Sequence, residues 1–186
     1  MNYREDEFYR FASHNNINVL ERLINQYNVN VNARSTINGD YPLFIAVKLE
    51  YVDVVKLILD QPNVDVSIST RYNGYNALHY AVSNNRYNRE IITMLLNKGV
   101  DINEQANNDE TPLALAAYYG NLDAVKLLLE YGADLTIADI NGNTPEDIAM
   151  NNIVEENDNY QQIADYIGGY VQMDIKEPGD DYDTDY

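Results

Sequence analysis

Cysteine is absent from the 186 residues of this chain. That excludes disulfides, thiol nucleophiles and cysteine zinc sites, and it fits a reducing compartment. Histidine is nearly absent as well. His14 and His79 stand far apart, and no His-Glu-x-x-His pair occurs. No stretch approaches the roughly 18 apolar residues of a membrane span. The opening, Met1 to Arg10, is polar and acidic, unlike a secretory signal. Nucleophile elbow, phosphate loop and paired-carboxylate motif are all missing. Asp180-Asp181-x-Asp183 lacks the Gly and the closing Glu of a calcium loop. The expectation is a soluble, cytoplasmic, non-enzymatic protein with no cofactor and no metal.

Basic residues are scarce too, 12 Lys and Arg against 30 Asp and Glu, for a net charge of −18. Such a chain is repelled by phosphate backbones and anionic lipids, which argues against nucleic-acid and membrane binding. A basic protein surface is the better-matched partner. What the chain has in abundance is Tyr, 17 in all, and Asn, both with AT-rich codons. Hydrophobic residues make up 45%, enough for the core of one domain.

Repetition is the strongest signal. Tyr41-Pro42-Leu43-Phe44-Ile45-Ala46 recurs as Asn76-Ala77-Leu78-His79-Tyr80-Ala81, as Thr111-Pro112-Leu113-Ala114-Leu115-Ala116 and as Thr144-Pro145-Glu146-Asp147-Ile148-Ala149. The closing alanines are 35, 35 and 33 residues apart, and Phe8-Tyr9-Arg10-Phe11-Ala12 is a degenerate first copy. Downstream of each lies an apolar run, such as Val54–Leu59, Ile91–Leu96 and Ala124–Leu129, with the spacing of a buried helix. Gly99 and Gly132 stop two of these. Asn38-Gly39, Asn73-Gly74 and Asn141-Gly142 mark tight turns between units. Pro42, Pro112 and Pro145 sit at the first helical position, where a missing N–H is harmless.

A Thr-Pro-Leu-x-x-Ala helix, an apolar second helix, Gly-x-Asp and an Asn-Gly tip together resemble the ankyrin repeat. The resemblance implies an all-α solenoid of about five stacked helix-turn-helix repeats with short β-hairpin-like connectors. The copies are expected near 4–35, 36–70, 71–105, 106–138 and 139–168, with the repeat domain at 1–168. Glu50 and Asn85 replace the usual inter-helix Gly, and Arg86-Tyr87 read as an insertion. These departures unsettle the regularity between copies two and three. Polar ends (Arg4–Glu7, Glu146, Asn151, Asn152, Glu155, Glu156) read as caps of a whole array. The helix near Asn159–Ile167 is expected to close the stack and Gly168-Gly169 to end it. Residues 169–186 are expected to form an acidic, disordered tail.

The resemblance further implies a monomer that binds another protein through its concave face, as an adaptor or inhibitor. Two variants are a host-directed effector of an intracellular bacterium or virus, acting in the host cytosol, and an acidic inhibitor of a basic enzyme. Mapped onto this chain, the family's ligand-facing positions are Ile37, Asn38, Asp40, Lys48 and Leu49 in copy two. Copy three supplies Tyr72, Asn73, Tyr75, Ser83 and Asn84, and copy four Asn107, Asn108, Glu110, Tyr118 and Tyr119. Copy five adds Ile140 and Asn143. Tyr and Asn suit such a surface, offering rigid rings with a polar tip and adaptable amides. His79 sits where the family places a histidine that bonds neighbouring connectors. Tyr170-Val171-Gln172-Met173 resembles a phosphotyrosine recognition motif, which makes Tyr170 a candidate phosphorylation site.

Overall fold

A computed structural model describes residues 3–83, 87–153 and 158–174. Among them are ten α-helices and no strand: α1 Tyr3–Ala12, α2 Ile17–Tyr27, α3 Pro42–Lys48, α4 Val52–Leu59, α5 Ala77–Val82, α6 Arg89–Asn97, α7 Pro112–Tyr118, α8 Leu122–Glu130, α9 Pro145–Asn151 and α10 Asp158–Asp174. They pair in sequence as five helical hairpins. The first helices α1, α3, α5, α7 and α9 pack in succession as one row. The second helices form another row behind them.

Local chemistry explains the starts of these short helices. Thr111 caps α7 by accepting from the Ala114 N–H at 3.2 Å, with Pro112 following in the first turn. Thr144 and Asp147 form a capping box on α9, and Asn76 and His79 form one on α5. Asn16, Asn88 and Asn121 cap the second helices α2, α6 and α8. Much of the abundant asparagine is therefore structural. The core runs the length of the stack, through Phe8, Leu20, Phe44, Ile58, Leu78, Ile91, Leu95, Leu113 and Leu127, all fully buried. Helices α1 to α9 are too short to stand alone, so burial between neighbouring copies supplies their stability.

The connectors are closed fingers without strand pairing. In each, one N–H reaches back across the turn: Ser35 to Asp40, Thr70 to Tyr75, Ala106 to Glu110, Asp139 to Asn143. Fingers of successive copies are also tied to one another. The Asn107 N–H donates to the Asn73 carbonyl and the Ile140 N–H to the Asn108 carbonyl, each at 2.9 Å. A second tie lies behind the helices. Asn32 accepts from the Asp65 N–H and Asn103 accepts from the Asp134 N–H, again at 2.9 Å. Between copies two and three, among the described residues, neither tie forms. Ser67 occupies the asparagine position and folds back on Asp65 at 2.6 Å. Side chains hold that junction: Phe44 and Lys48 of copy two against the ring of Tyr80.

Two expectations at the C-terminal end need correction. Gly168-Gly169 does not end a helix, because α10 runs on to Asp174. The glycines sit where α10 comes close to α9. A Cβ on Gly168 would lie 3.1 Å from the Glu146 carboxylate, and Tyr170 beyond them is packed against the core. Nor do Asn151 and Asn152 belong to a second helix. Asn151 ends α9 and Asn152 is its C-cap, so α10 itself takes the second-helix place, against α9 and α8. Glu155, Glu156 and residues 175–186 lie outside the described residues.

Candidate interaction surface

In copies two to five the first helix is short and preceded by a finger, so each of these copies presents a finger and a helix end on the same side of the stack. The contacts join those features across copies. In copy two, Lys48 at the end of α3 reaches the Asp40 carboxylate at 2.9 Å. Its ammonium also lies 3.9 Å from the centre of the Tyr80 ring, on α5. Tyr80 meets Tyr75 edge-on at 5.5 Å. The Tyr75 hydroxyl donates to the Glu110 carboxylate at 3.2 Å, crossing from copy three to copy four. Tyr118 and Tyr119, at the end of α7, pack edge to face at 5.2 Å.

Beneath this surface His79 is fully buried. Its Nε2 lies 3.1 Å from the Glu110 carbonyl, and its Nδ1 lies 2.7 Å from the Asn76 Oδ1 and 3.3 Å from the Asn76 backbone nitrogen. Burial pushes its pKa down to about 4, outweighing the carbonyls of Glu110 and Glu104. The ring is therefore neutral at pH 7, and it serves as a connector between copies, as the resemblance implies. Tyr75 stacks on it with centroids 5.1 Å apart. Burial, then the Glu110 charge, raises the Tyr75 phenol well above the ordinary value. Burial likewise raises Tyr119, followed by Tyr118 and Glu110.

The residues singled out from sequence divide into two groups. Tyr72 (94% exposed), Ile37 (71%), Ile140 (64%) and Tyr118 (52%) stand in solvent with large apolar groups unburied, and Leu49, Tyr119, Asn107 and Asn108 are exposed with them. The others are held by their neighbours. Asn38 donates to the Tyr9 hydroxyl at 2.6 Å. Asn73 accepts from Thr70 and from the Tyr75 N–H, and Asn143 donates to Asp139, so both shape their own fingers. Asn107, though exposed, donates to the Tyr72 carbonyl at 2.9 Å and anchors that tip. Ser83 donates to the Tyr80 carbonyl. Asp40, Lys48, Tyr75 and Glu110 are the half-buried members of the contact chain above. Asn84 lies outside the described residues.

Sequence reasoning missed Tyr80. It occupies the position of Ile45 and Leu115 in the neighbouring copies. An aromatic at an otherwise aliphatic site was the available signal. Tyr170 is no free tail residue: its hydroxyl donates to the Leu129 carbonyl at 3.1 Å. At the far end of α7 an open groove of about 460 Å³ lies between Tyr87, Tyr119, the Gly120–Asp123 loop and Asn159. It is open to solvent, and nothing in its lining pairs a nucleophile with a base.

Comparison with known proteins agrees with the repeat fold. The family model described as ankyrin repeats (3 copies) matches residues 8–106 and 87–170. An ankyrin repeat protein of fowlpox virus (strain NVSL) is 32% identical over 166 residues, 86% of this chain and 46% of that protein. Human BCL-6 corepressor-like protein 1 is 32% identical over 155 residues, 83% of this chain but 8% of its own length. An ankyrin repeat protein of Acanthamoeba polyphaga mimivirus is 36% identical over 83 residues, 45% of this chain and 51% of that protein. The chain thus spans about half, or much less, of the relatives it matches.

Proposed function

Because the chain belongs to the ankyrin-repeat family, whose repeats are protein–protein interaction modules, we propose that it binds a partner protein through the fingers and first-helix ends of copies two to five. It acts in this reading as an adaptor or an inhibitor and performs no chemistry. The observation that carries the reading is the set of large apolar groups left in solvent on this side: Ile37, Tyr72, Tyr118, Tyr119 and Ile140. Exposing them has no return in folding, whereas rigid tyrosines are strong anchors in an interface. Immobilised chain should retain a protein from lysate of its source cell or host. A Tyr72→Ala/Tyr118→Ala/Tyr119→Ala variant of equal stability should release it, and full retention by that variant would sink the assignment.

Two of the relatives are viral, which favours a host protein as the partner and the host cytosol as the place of action. The charge of −18 favours a partner with a basic surface, such as a basic enzyme that the chain would inhibit. Electrostatic steering then makes the association rate fall as salt rises. A rate indifferent to ionic strength would argue for an uncharged partner surface.

A further inference from the structure

Copy two and copy four carry the same arrangement of positions, with Glu in place of Asp and Tyr in place of Lys. Asp40 stands two residues before Pro42 and Lys48 six residues after it. Glu110 and Tyr118 stand at the same two offsets from Pro112, each 70 residues further on. In copy two the finger carboxylate is neutralised from within, because the Lys48 ammonium bridges Asp40 at 2.9 Å and the face of Tyr80 at 3.9 Å. In copy four the carboxylate is retained, half-buried, and Tyr118 stands where the cation was. Among the described residues Glu110 receives a hydrogen bond from Tyr75 and enters no ion pair. Tyr75 donates to its carboxylate, its charge acts on the Tyr119 phenol, and Tyr118 packs edge to face on Tyr119.

We infer that Glu110, with Tyr75, Tyr118 and Tyr119, forms a receptor for one cationic side chain, an arginine or lysine, of the partner protein. The inference rests on the interaction reading above and names the chemistry of the partner at this point of the surface. A carboxylate partly removed from water favours a cation brought to it, and an exposed phenol ring adds attraction through its face. The pair Asp40–Lys48 is the same recognition made within the chain. The strongly negative net charge draws basic partners toward this face before contact.

The test is a titration of the full chain with N-acetyl-arginine amide, and in parallel with N-acetyl-citrulline amide, followed by backbone amide resonances. The arginine compound is expected to move the signals of Glu110, Tyr118 and Tyr119, and the neutral citrulline compound to leave them in place. Glu110→Gln keeps an acceptor for Tyr75 and should weaken arginine binding about fivefold. Tyr118→Lys supplies the cation from within, as in copy two, and should weaken it at least as much. Asp60→Asn removes the same charge from the exposed end of α4 and should change nothing. Shifts that are absent in the natural sequence, that persist in Glu110→Gln, or that fall equally in Asp60→Asn would overturn the inference. A protein partner that is lost from Tyr118→Ala/Tyr119→Ala but binds Glu110→Gln unchanged would leave the interaction reading standing and remove this one.

Discussion

The hydroxyl of Tyr170 donates to the carbonyl of Leu129 at 3.1 Å and ties the last turns of α10 to the end of α8. Its ring also packs against Tyr166 and the core. The bond holds a helix that contains Gly168 and Gly169, each costing about 1 kcal/mol relative to Ala. Tyr170→Phe is expected to lower stability by about 1 kcal/mol, read as a shift of roughly 2–4 °C in Tm. Phosphorylation of Tyr170 removes the same donor, so a tyrosine kinase should modify this residue faster in a chain loosened by mild urea than in the folded one. Equal rates would show that the bond does not shield it.

Tyr118 and Tyr119 are exposed and contribute little to the core. Replacing both by Ala should leave Tm within about 2 °C, since exposed substitutions stay near ±0.5 kcal/mol. Partner affinity should fall by at least tenfold, as for central aromatic anchors. The bond from Tyr160 to Tyr118 goes to the backbone carbonyl and survives the change. Calorimetry and a binding isotherm on the same variant separate the two effects.

His79 gives the fold an acid-sensitive component. Its pKa is about 4 in the folded chain against about 6.5 when unfolded, so the unfolded state binds the extra proton between those values. Stability from this residue is complete above pH 6.5 and declines as pH falls toward 4, by up to about 3 kcal/mol. Asp6, Asp65, Asp134 and Asp147, whose carboxyls are lowered by hydrogen bonds from nearby Thr and Ser, act in a lower window. Imidazole resonances of His79 should titrate near pH 4, and a midpoint near 6.5 would contradict its buried placement.

Glu50 occupies a left-handed turn at φ 55°, where copy four has Gly120 at φ 67°. A side chain there is strained by about 1 kcal/mol, so Glu50→Gly should stabilise the fold by that order. Urea unfolding decides it, and a loss of stability would mean that the Glu50 side chain contributes more than the strain costs.

The junction of copies two and three offers a complementary repair. Ser67→Asn restores the residue type by which Asn32 and Asn103 bind the next copy. It should add about 0.5–1 kcal/mol and slow hydrogen exchange at the Asp101 amide, the counterpart of Asp65 and Asp134. Unchanged exchange would show that the copies are too far apart there for the bond.

The amino-acid sequence by itself determined the repeat, its length, the helix starts at Pro42, Pro112 and Pro145, and the family. These depend on local periodicity and on burial that every copy repeats. The family resemblance also put Ile37, Tyr72 and Ile140 among the outward-facing positions, and the structure leaves their side chains in solvent. Only the tertiary structure separated Asn73, Asn143 and Tyr75, which hold the surface together, from Tyr118 and Tyr119, which stand out of it. The Lys48–Tyr80 contact that spans the junction of copies two and three, and the run of α10 through Gly168-Gly169, likewise appear only in the structure. Each depends on which residue of one copy meets which residue of the next. That pairing is fixed by packing across about 35 residues of chain, a separation at which local propensity has no influence.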